Sequence, residues 1–455
     1  MKYAFRVLSI CIAALGGAIM TVGAASATSV TLRVTNDGAD SATCGAPTKP
    51  CRSISQAIEN AADGDSIEVG AGHYGNVSGD PNFAGPGDEH PQADSRCIVC
   101  ITKALSIFSL HGAAVTVIQS IPTPNLISTV GILHDGVTFG QAGGGFTVTG
   151  GNVQGIVLDQ DASGGEYGIA VQHRVTIAGN VDLGDAYGFV FNGAGFVDRP
   201  CPNPSCMSTA QVIFSDNESI NNAVSAFSVY VNTYQAQITL QSNLALGGGT
   251  GFFVSPGGQD EEGDAFGAAN VALVGNVSVH NGIGFSADAP GKMEANTAAG
   301  NAQAGFLVVP GGGQFQDNSA IGNAGPGAIV QFSTYLGDTQ GNHRFQTFTQ
   351  KNFYGNNRNR PALNVSVGPF QAPNPGPSAH CGVLNMGAVA AVVGPNAGGT
   401  PPTISLAASG NFWGSAQGPA PTGVGDAVGG VCDQNSATTI AKPFATESFA
   451  ITSWP

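Results

Sequence analysis

Charged side chains are scarce in this chain: Asp, Glu, Lys and Arg make up 10% of its 455 residues, against about 25% in an ordinary globular domain. Exposed helices draw heavily on those residues, so the scarcity argues against a helical bundle. Basic residues are the scarcest: 15 Lys and Arg face 30 Asp and Glu, a net charge of −15. A surface of that sign repels a phosphate backbone, which excludes nucleic acid as a partner. Beyond the N-terminal stretch no apolar run approaches the roughly 18 residues that span a bilayer; the longest, Met386–Val393, is broken. No second Cys or His pair accompanies Cys97 and Cys100 at zinc-ligand spacing, which disfavours a metal thiolate. What the chain does have is 67 glycines and a hydrophobic fraction of 42%, too apolar for disorder. At about 150 residues per domain the length fits three domains or one long solenoid.

Lys2 and Arg6 precede an apolar stretch, Val7–Val22, that ends in the small residues Ala25-Ser26-Ala27. This pattern predicts a signal peptide over residues 1–27 and export to a secreted, extracellular or periplasmic location, with no membrane span after its removal. Cleavage would leave 13 basic against 30 acidic residues, a net charge of −17, and eight of the nine cysteines, because Lys2, Arg6 and Cys11 go with the leader. An even number in an oxidising compartment favours disulfides. The neighbours pair as Cys44 with Cys51, Cys97 with Cys100, Cys201 with Cys206 and Cys381 with Cys432. Cys97-Ile-Val-Cys100 needs a turn, or other partners, since three extended residues span about 10 Å and a disulfide tolerates about 7 Å between Cα atoms.

From Asn180 onward one template recurs: an Asn, a second Asn or Asp five residues later, then a small residue followed by an apolar one. It reads Asn180, Asp185, Gly188-Phe189; Asn217, Asn222, Ala226-Phe227; Asn276, Asn281, Gly284-Phe285; Asn296, Asn301, Gly305-Phe306; and Asn318, Asn323, Gly327-Ala328. A period near 20 residues marks a solenoid. The apolar residues within a unit alternate, as Phe189 and Phe191 do, which is the period of a strand, and Gly and Asn disfavour helix. The expected fold is all-β, a right-handed parallel β-helix over 28–372, its last irregular coils and cap spanning 373–455 after the break Pro373-Asn-Pro-Gly-Pro377. Stacked corner Asn residues would form hydrogen-bonded ladders. The sequons at Asn217 and Asn276 fall in those ladders and are therefore structural. Ser53-Ile-Ser-Gln56 predicts a capping box that opens a lid helix over 53–62.

The segment Cys51–Tyr74 resembles the opening of secreted parallel β-helix proteins of the pectin-lyase-like superfamily. Gly410-Asn-Phe-Trp-Gly414, Gly418-Pro419 and Gly425-Asp-Ala-Val428 resemble their closing motif. The resemblance implies a polysaccharide or cell-surface glycan as partner. It does not fix a reaction, because the superfamily holds lyases, hydrolases, epimerases and proteins with no known activity. The lyase pattern Arg-x-Pro-x-x-Arg is absent, as are Asn-Thr-Asp, Arg-Ile-Lys and Asp-Pro-His-Asp, so catalysis stays open. The expected function is an exported β-helix that binds or processes polysaccharide, with a non-catalytic surface or matrix adhesin as the alternative.

Aligning units on their Gly-apolar start sends the fourth following residue outward: Asp135, Asp159, Gln172, Asn192 and Tyr230. Asp159, Asp161, His173 and Arg174 form the candidate catalytic set, since they combine carboxylates able to hold a cation with residues that act as base or bind a sugar carboxylate. Asp260, Glu261, Glu262 and Asp264 form a candidate metal loop of hard oxygen ligands, which makes calcium the one cofactor with a place in the sequence. Asp80, Asp88, Glu89, His90 and Asp94 read as a surface loop.

Overall fold

A computed structural model of the protein describes residues 29–78, 85–89, 97–121, 128–150, 154–159, 174–192, 211–231, 237–256, 271–288, 290–309, 313–333, 347–349, 352–354, 366–367, 370–371, 381–389 and 405–451. These residues wind into a parallel β-helix with three strands per coil. One coil runs through Arg174–Ala178, Val181–Leu183 and Tyr187–Asn192; the next runs through Gln211–Ser215, Glu218–Ile220 and Ser225–Val231. Corresponding strands stack in parallel register, Val175 on Val212, Asp182 on Ser219 and Phe189 on Phe227. Repetition of this step builds a first sheet of 11 strands and a second and third of 10 each.

The sequence specifies the coil mainly at its corners. Between the first and second sheets the chain turns through one residue in the left-handed region, followed by a buried Asn. The left-handed residues are Gly179, Asp216, Ser242, Gly275, Ala295 and Asp317, with φ between 54° and 66°. The Asn residues are Asn180, Asn217, Asn243, Asn276, Asn296 and Asn318, all at most 1% exposed. Each Asn Oδ1 accepts from the backbone N–H of its predecessor in the ladder, as Asn217 accepts from Asn180 at 3.0 Å and Asn296 from Asn276 at 3.0 Å. Its Nδ2 donates to a carbonyl of the preceding coil, as Asn217 does to Ile177 at 2.8 Å. Buried corner backbone, which no strand pairs, is thereby satisfied. The corner between the second and third sheets repeats the device with Asn281, Asn301 and Asn323, whereas the buried Asn222 in the same row turns its Nδ2 to the Asp182 carboxyl.

Asn243 belongs to the first ladder although the sequence template misses it. Its partner five residues on is Gly248, which has no side chain but whose N–H still donates to Asn281 Oδ1 at 2.7 Å, as the N–H groups of Asn281 and Asn301 do to the next Asn. Inside the coil Phe189, Phe227, Phe252, Phe285 and Phe306 stack with ring centroids 4.7 to 4.9 Å apart, which adds offset-stacking energy to apolar burial. Ala295 alone in the first-corner row sets an unassisted Cβ in the left-handed region, at φ 55°. Ala295→Gly is therefore expected to stabilise the protein by about 0.5–1 kcal/mol, the Cβ penalty less the added chain entropy. A chemical-denaturation midpoint that does not rise would refute this.

The first coil begins earlier than Ser66–Val69, because Thr31–Val34 precedes the lid and pairs with that strand. The lid helix spans Ile54–Asn60 and buries Ile54, Ala57 and Ile58. Its capping box is half made. Ser53 Oγ accepts from Gln56 N–H at 3.1 Å, but Ser53 N–H donates to Asp40 Oδ1 at 3.0 Å. Asp88 and Glu89, read from composition as surface loop, are both fully buried. Glu89 accepts from the N–H groups of Ile54 and Ser55 at 2.7 and 2.6 Å, and Asp88 accepts from those of Val77, Ser78 and Gly85. The segment is thus a clasp on the lid. Burial holds the Glu89 carboxyl up at about 7 despite its two N–H donors.

Disulfides join Cys44 to Cys51, Cys97 to Cys100 and Cys381 to Cys432, as suits an oxidising compartment; the second closes within the strand Cys97–Ile101, with neither the turn nor the other partners that its spacing suggested. Cys201 and Cys206 lie outside the described residues, as does the leader. Among the described residues no helix is long and apolar enough to cross a membrane. At the far end Val383–Val389 adds to the third sheet beside Ala328–Ser333.

Candidate functional site

The third sheet is bent along one row. Ladder pairs skip Gly155, Gly188, Ala226, Gly251 and Gly284. The residue that follows each, such as Phe189, is a core residue. A Cβ on Gly188 would meet Ser219 Oγ at 2.3 Å and on Gly155 would meet Asp182 Oδ1 at 1.9 Å, so the bend positions also point inward. Two consecutive inward residues leave three outward rows. One contains Tyr187, Ser225 and Thr250; one contains Val190, Ser228, Phe253, Ser286 and Leu307 and points away from the core but is covered, with Val190, Ser228, Ser286 and Leu307 all buried. The third, at the end of each strand, contains Asp159, Asn192, Tyr230 and Ser255 in register, with Asp288 one residue beyond the Val254–Ala287 pair.

This last row borders the corner from which the chain leaves for the first sheet. The connections there vary from 289–291 to 160–173, 193–210 and 257–270, whereas the other two corners stay short along the regular coils from 174 onward. Variable loops around a constant sheet edge are the usual place for a binding site. Tyr230 of this row packs on Phe253 of the neighbouring row with centroids 5.5 Å apart. Burial raises the Tyr230 hydroxyl above its ordinary value, Tyr187 adds to the rise, and a bond with Ser228 opposes it. Asp288 is largely enclosed, and desolvation lifts its carboxyl to about 6. A carboxyl held there exchanges a proton near neutral pH, the range a general acid or base needs.

The residues expected from sequence are only partly placed. Asp159 ends the strand Gln154–Asp159 in the third sheet, and Arg174 opens the exposed start of Arg174–Ala178 in the first. The connection 160–173 separates them. Asp161 and His173 lie outside the described residues, as do Gln172, Asp260, Glu261, Glu262 and Asp264. Asp135 is not in the outward row: Gly131 pairs with Val157 rather than Gly155, because the bend position in that coil is held by Thr129. Sequence alignment missed Ser255 and Asp288, although both stand four residues after Gly251 and Gly284, the offset that gives Asn192.

A second pair of carboxyls lies inside the coil. Asp182 and Asp185 are buried at the corner between the second and third sheets, and Asn222 Nδ2 donates to Asp182 Oδ2. Burial first, then the charge of Asp185, pushes the Asp182 carboxyl well above the usual carboxylate range. The pair is walled off from the outer face by the sheet. Among the described residues no three His, Cys, Asp or Glu side chains gather as a metal site. No protein-family model, curated protein or solved structure gives a significant match to this chain.

Proposed function

We propose that this is an exported β-helix protein that binds a polysaccharide along the outer face of its third sheet, at the edge bearing Asn192, Tyr230, Ser255 and Asp288. The observation that carries the reading is the convergence of one polar outward row with the long connections of successive coils on a single edge. Coils repeat at about 4.8 Å, so Tyr230, Ser255 and Asp288 offer hydroxyl and carboxyl groups at even spacing to an extended chain. Tyr230 and Phe253 supply an apolar platform for a sugar ring. The resemblance of the end motifs to pectin-lyase-like proteins supports the same substrate class. The net charge disfavours an acidic polymer unless calcium bridges it, and the acidic loop Asp260, Glu261, Glu262 and Asp264 is the proposed place for that ion.

The alternative reading is a non-catalytic surface or matrix adhesin. Retention on immobilised neutral and acidic polysaccharides, with and without calcium, separates the two, and absorbance of unsaturated uronates in the same samples reports lyase action. Tyr230→Ala is expected to weaken binding by about 1–3 kcal/mol, the worth of a stacked anchor, with an unchanged melting temperature. Asp288→Asn is expected to remove the pH dependence of binding or turnover near 6. Wild-type retention from both variants would refute this site.

A further inference from the structure

The outer face of the third sheet has another feature, at its lid end. Cys97 and Cys100 are bonded three residues apart within one strand, with a Cα–Cα distance of 5.5 Å. The bend makes this possible: Ile98 and Val99 both point inward, 4% and 0% exposed, which puts the two cysteines on the same outer face. Cys100 is half-buried and lines a cavity of ≈180 Å³ with Ser55, Ile58 and Glu59 of the lid helix and with Ile98, Thr102 and Lys103. Drug-sized ligands need about 300 Å³ or more, so the space suits a smaller molecule. The other two described disulfides are closed to solvent: Cys44 is 5% exposed, and Cys51, Cys381 and Cys432 are 0%.

We propose that the Cys97–Cys100 disulfide is a thiol-exchange site that admits a low-molecular-weight thiol through this cavity. The attacking thiolate forms a new S–S bond to Cys100 Sγ while the bond to Cys97 breaks. The electron pair leaves on Cys97 Sγ, which takes a proton from solvent, so the step is a balanced exchange with no net oxidant. Attack falls on Cys100 because Cys97 is 2% exposed. Its sulfur lies over Gly131, where a Cβ would come within 2.6 Å.

Lys103 lends the cavity wall a positive charge that favours an anionic nucleophile. Its ammonium is held by the carbonyls of Glu59 and Ala61 at 2.8 and 2.7 Å. Opening the bond also leaves the fold standing. It closes a loop with a sequence separation of 3, against 7 and 51 for the others, and short loops restrain the unfolded chain least.

The test titrates the folded, full-length protein with free cysteine, quenches it by alkylation and maps the peptides. Cys97–Cys100 is expected to open at about tenfold lower cysteine than Cys44–Cys51 or Cys381–Cys432, with the cysteinyl adduct on Cys100 and an unchanged circular dichroism spectrum. Bonds that open together, an adduct on Cys97, or opening only on unfolding would each overturn the proposal. Thr102→Trp, which fills the cavity, is expected to slow exchange by about tenfold. Should that variant melt early, Ser55→Leu on the facing wall gives the same readout, and an undiminished rate in a folded variant rejects the cavity route.

Discussion

Asn276→Ala is expected to destabilise the protein by about 4 kcal/mol, far beyond the cost of trimming an exposed Asn. Its Oδ1 accepts from the backbone N–H and the Nδ2 of Asn243, both at 3.0 Å, and its Nδ2 donates to Leu240 O at 2.8 Å and Asn296 Oδ1 at 3.0 Å. Alanine removes all four bonds at a position with no exposed surface. The Asn243 N–H and the Leu240 carbonyl are then stranded in the core, and each unsatisfied buried group costs about 1–3 kcal/mol. Because coils contact chiefly their neighbours, the loss should be local before it is global. Hydrogen exchange of the Asn243 amide should accelerate more than that of Asn180, two rungs further up the ladder. A loss under about 1 kcal/mol, or uniform acceleration, would mean that water replaces the ladder.

The legibility of the sequence follows the same physics. A left-handed corner followed by a buried Asn tolerates few substitutes, so the repeat from Asn180 to Asn323 shows without structural help. It fails at Asn243 because Gly248 keeps the backbone N–H of its rung but carries no side chain for the template to recognise. The outward row was readable wherever a small residue marks the bend, as at Gly155, Gly188 and Ala226. It was lost at Asp135 because Thr129 holds the bend there and the nearest glycine, Gly131, sits two positions further along. Asp88 and Glu89 were misjudged for a different reason. Irregular composition reports the absence of a repeat, not exposure, and a carboxylate can be buried when N–H groups converge on it. The long connections carry no period at all, so sequence could nominate Asp161, His173 and the acidic loop by residue type but not by position.

The last expected result concerns the interior acids: Asp182→Ser should raise the melting temperature at neutral pH and flatten its fall with rising pH. Along the inward row of the second sheet, Asp182 is followed in register by Ser219, Ala245, Ser278, Ala298 and Ala320, so the coil already accommodates serine there. Ser278 Oγ donates to Asn301 Oδ1 of the next coil at 3.4 Å, the kind of bond a new serine would make with Asn222. The native carboxyl is buried beside Asp185, and its value is raised above the ordinary 3.8. A raised carboxyl contributes stability that is fully present below its unfolded value and is lost as pH rises through the folded one. Asp288 acts in the same sense between 3.8 and about 6, and Glu89 between 4.5 and about 7. The wild-type protein should therefore melt progressively earlier from about pH 4 to about pH 7. The serine variant should approach the wild type at the acid end, where Asp182 is protonated in both folded and unfolded chains, and exceed it at the neutral end. The slope that remains belongs to Glu89 and Asp288, and Asp288→Asn in the same background should reduce it again. Parallel melting curves for wild type and Asp182→Ser would show that the Asp182 carboxyl ionises in the folded chain as readily as in the unfolded one, solvated from within the coil, and that the pair is no source of pH sensitivity.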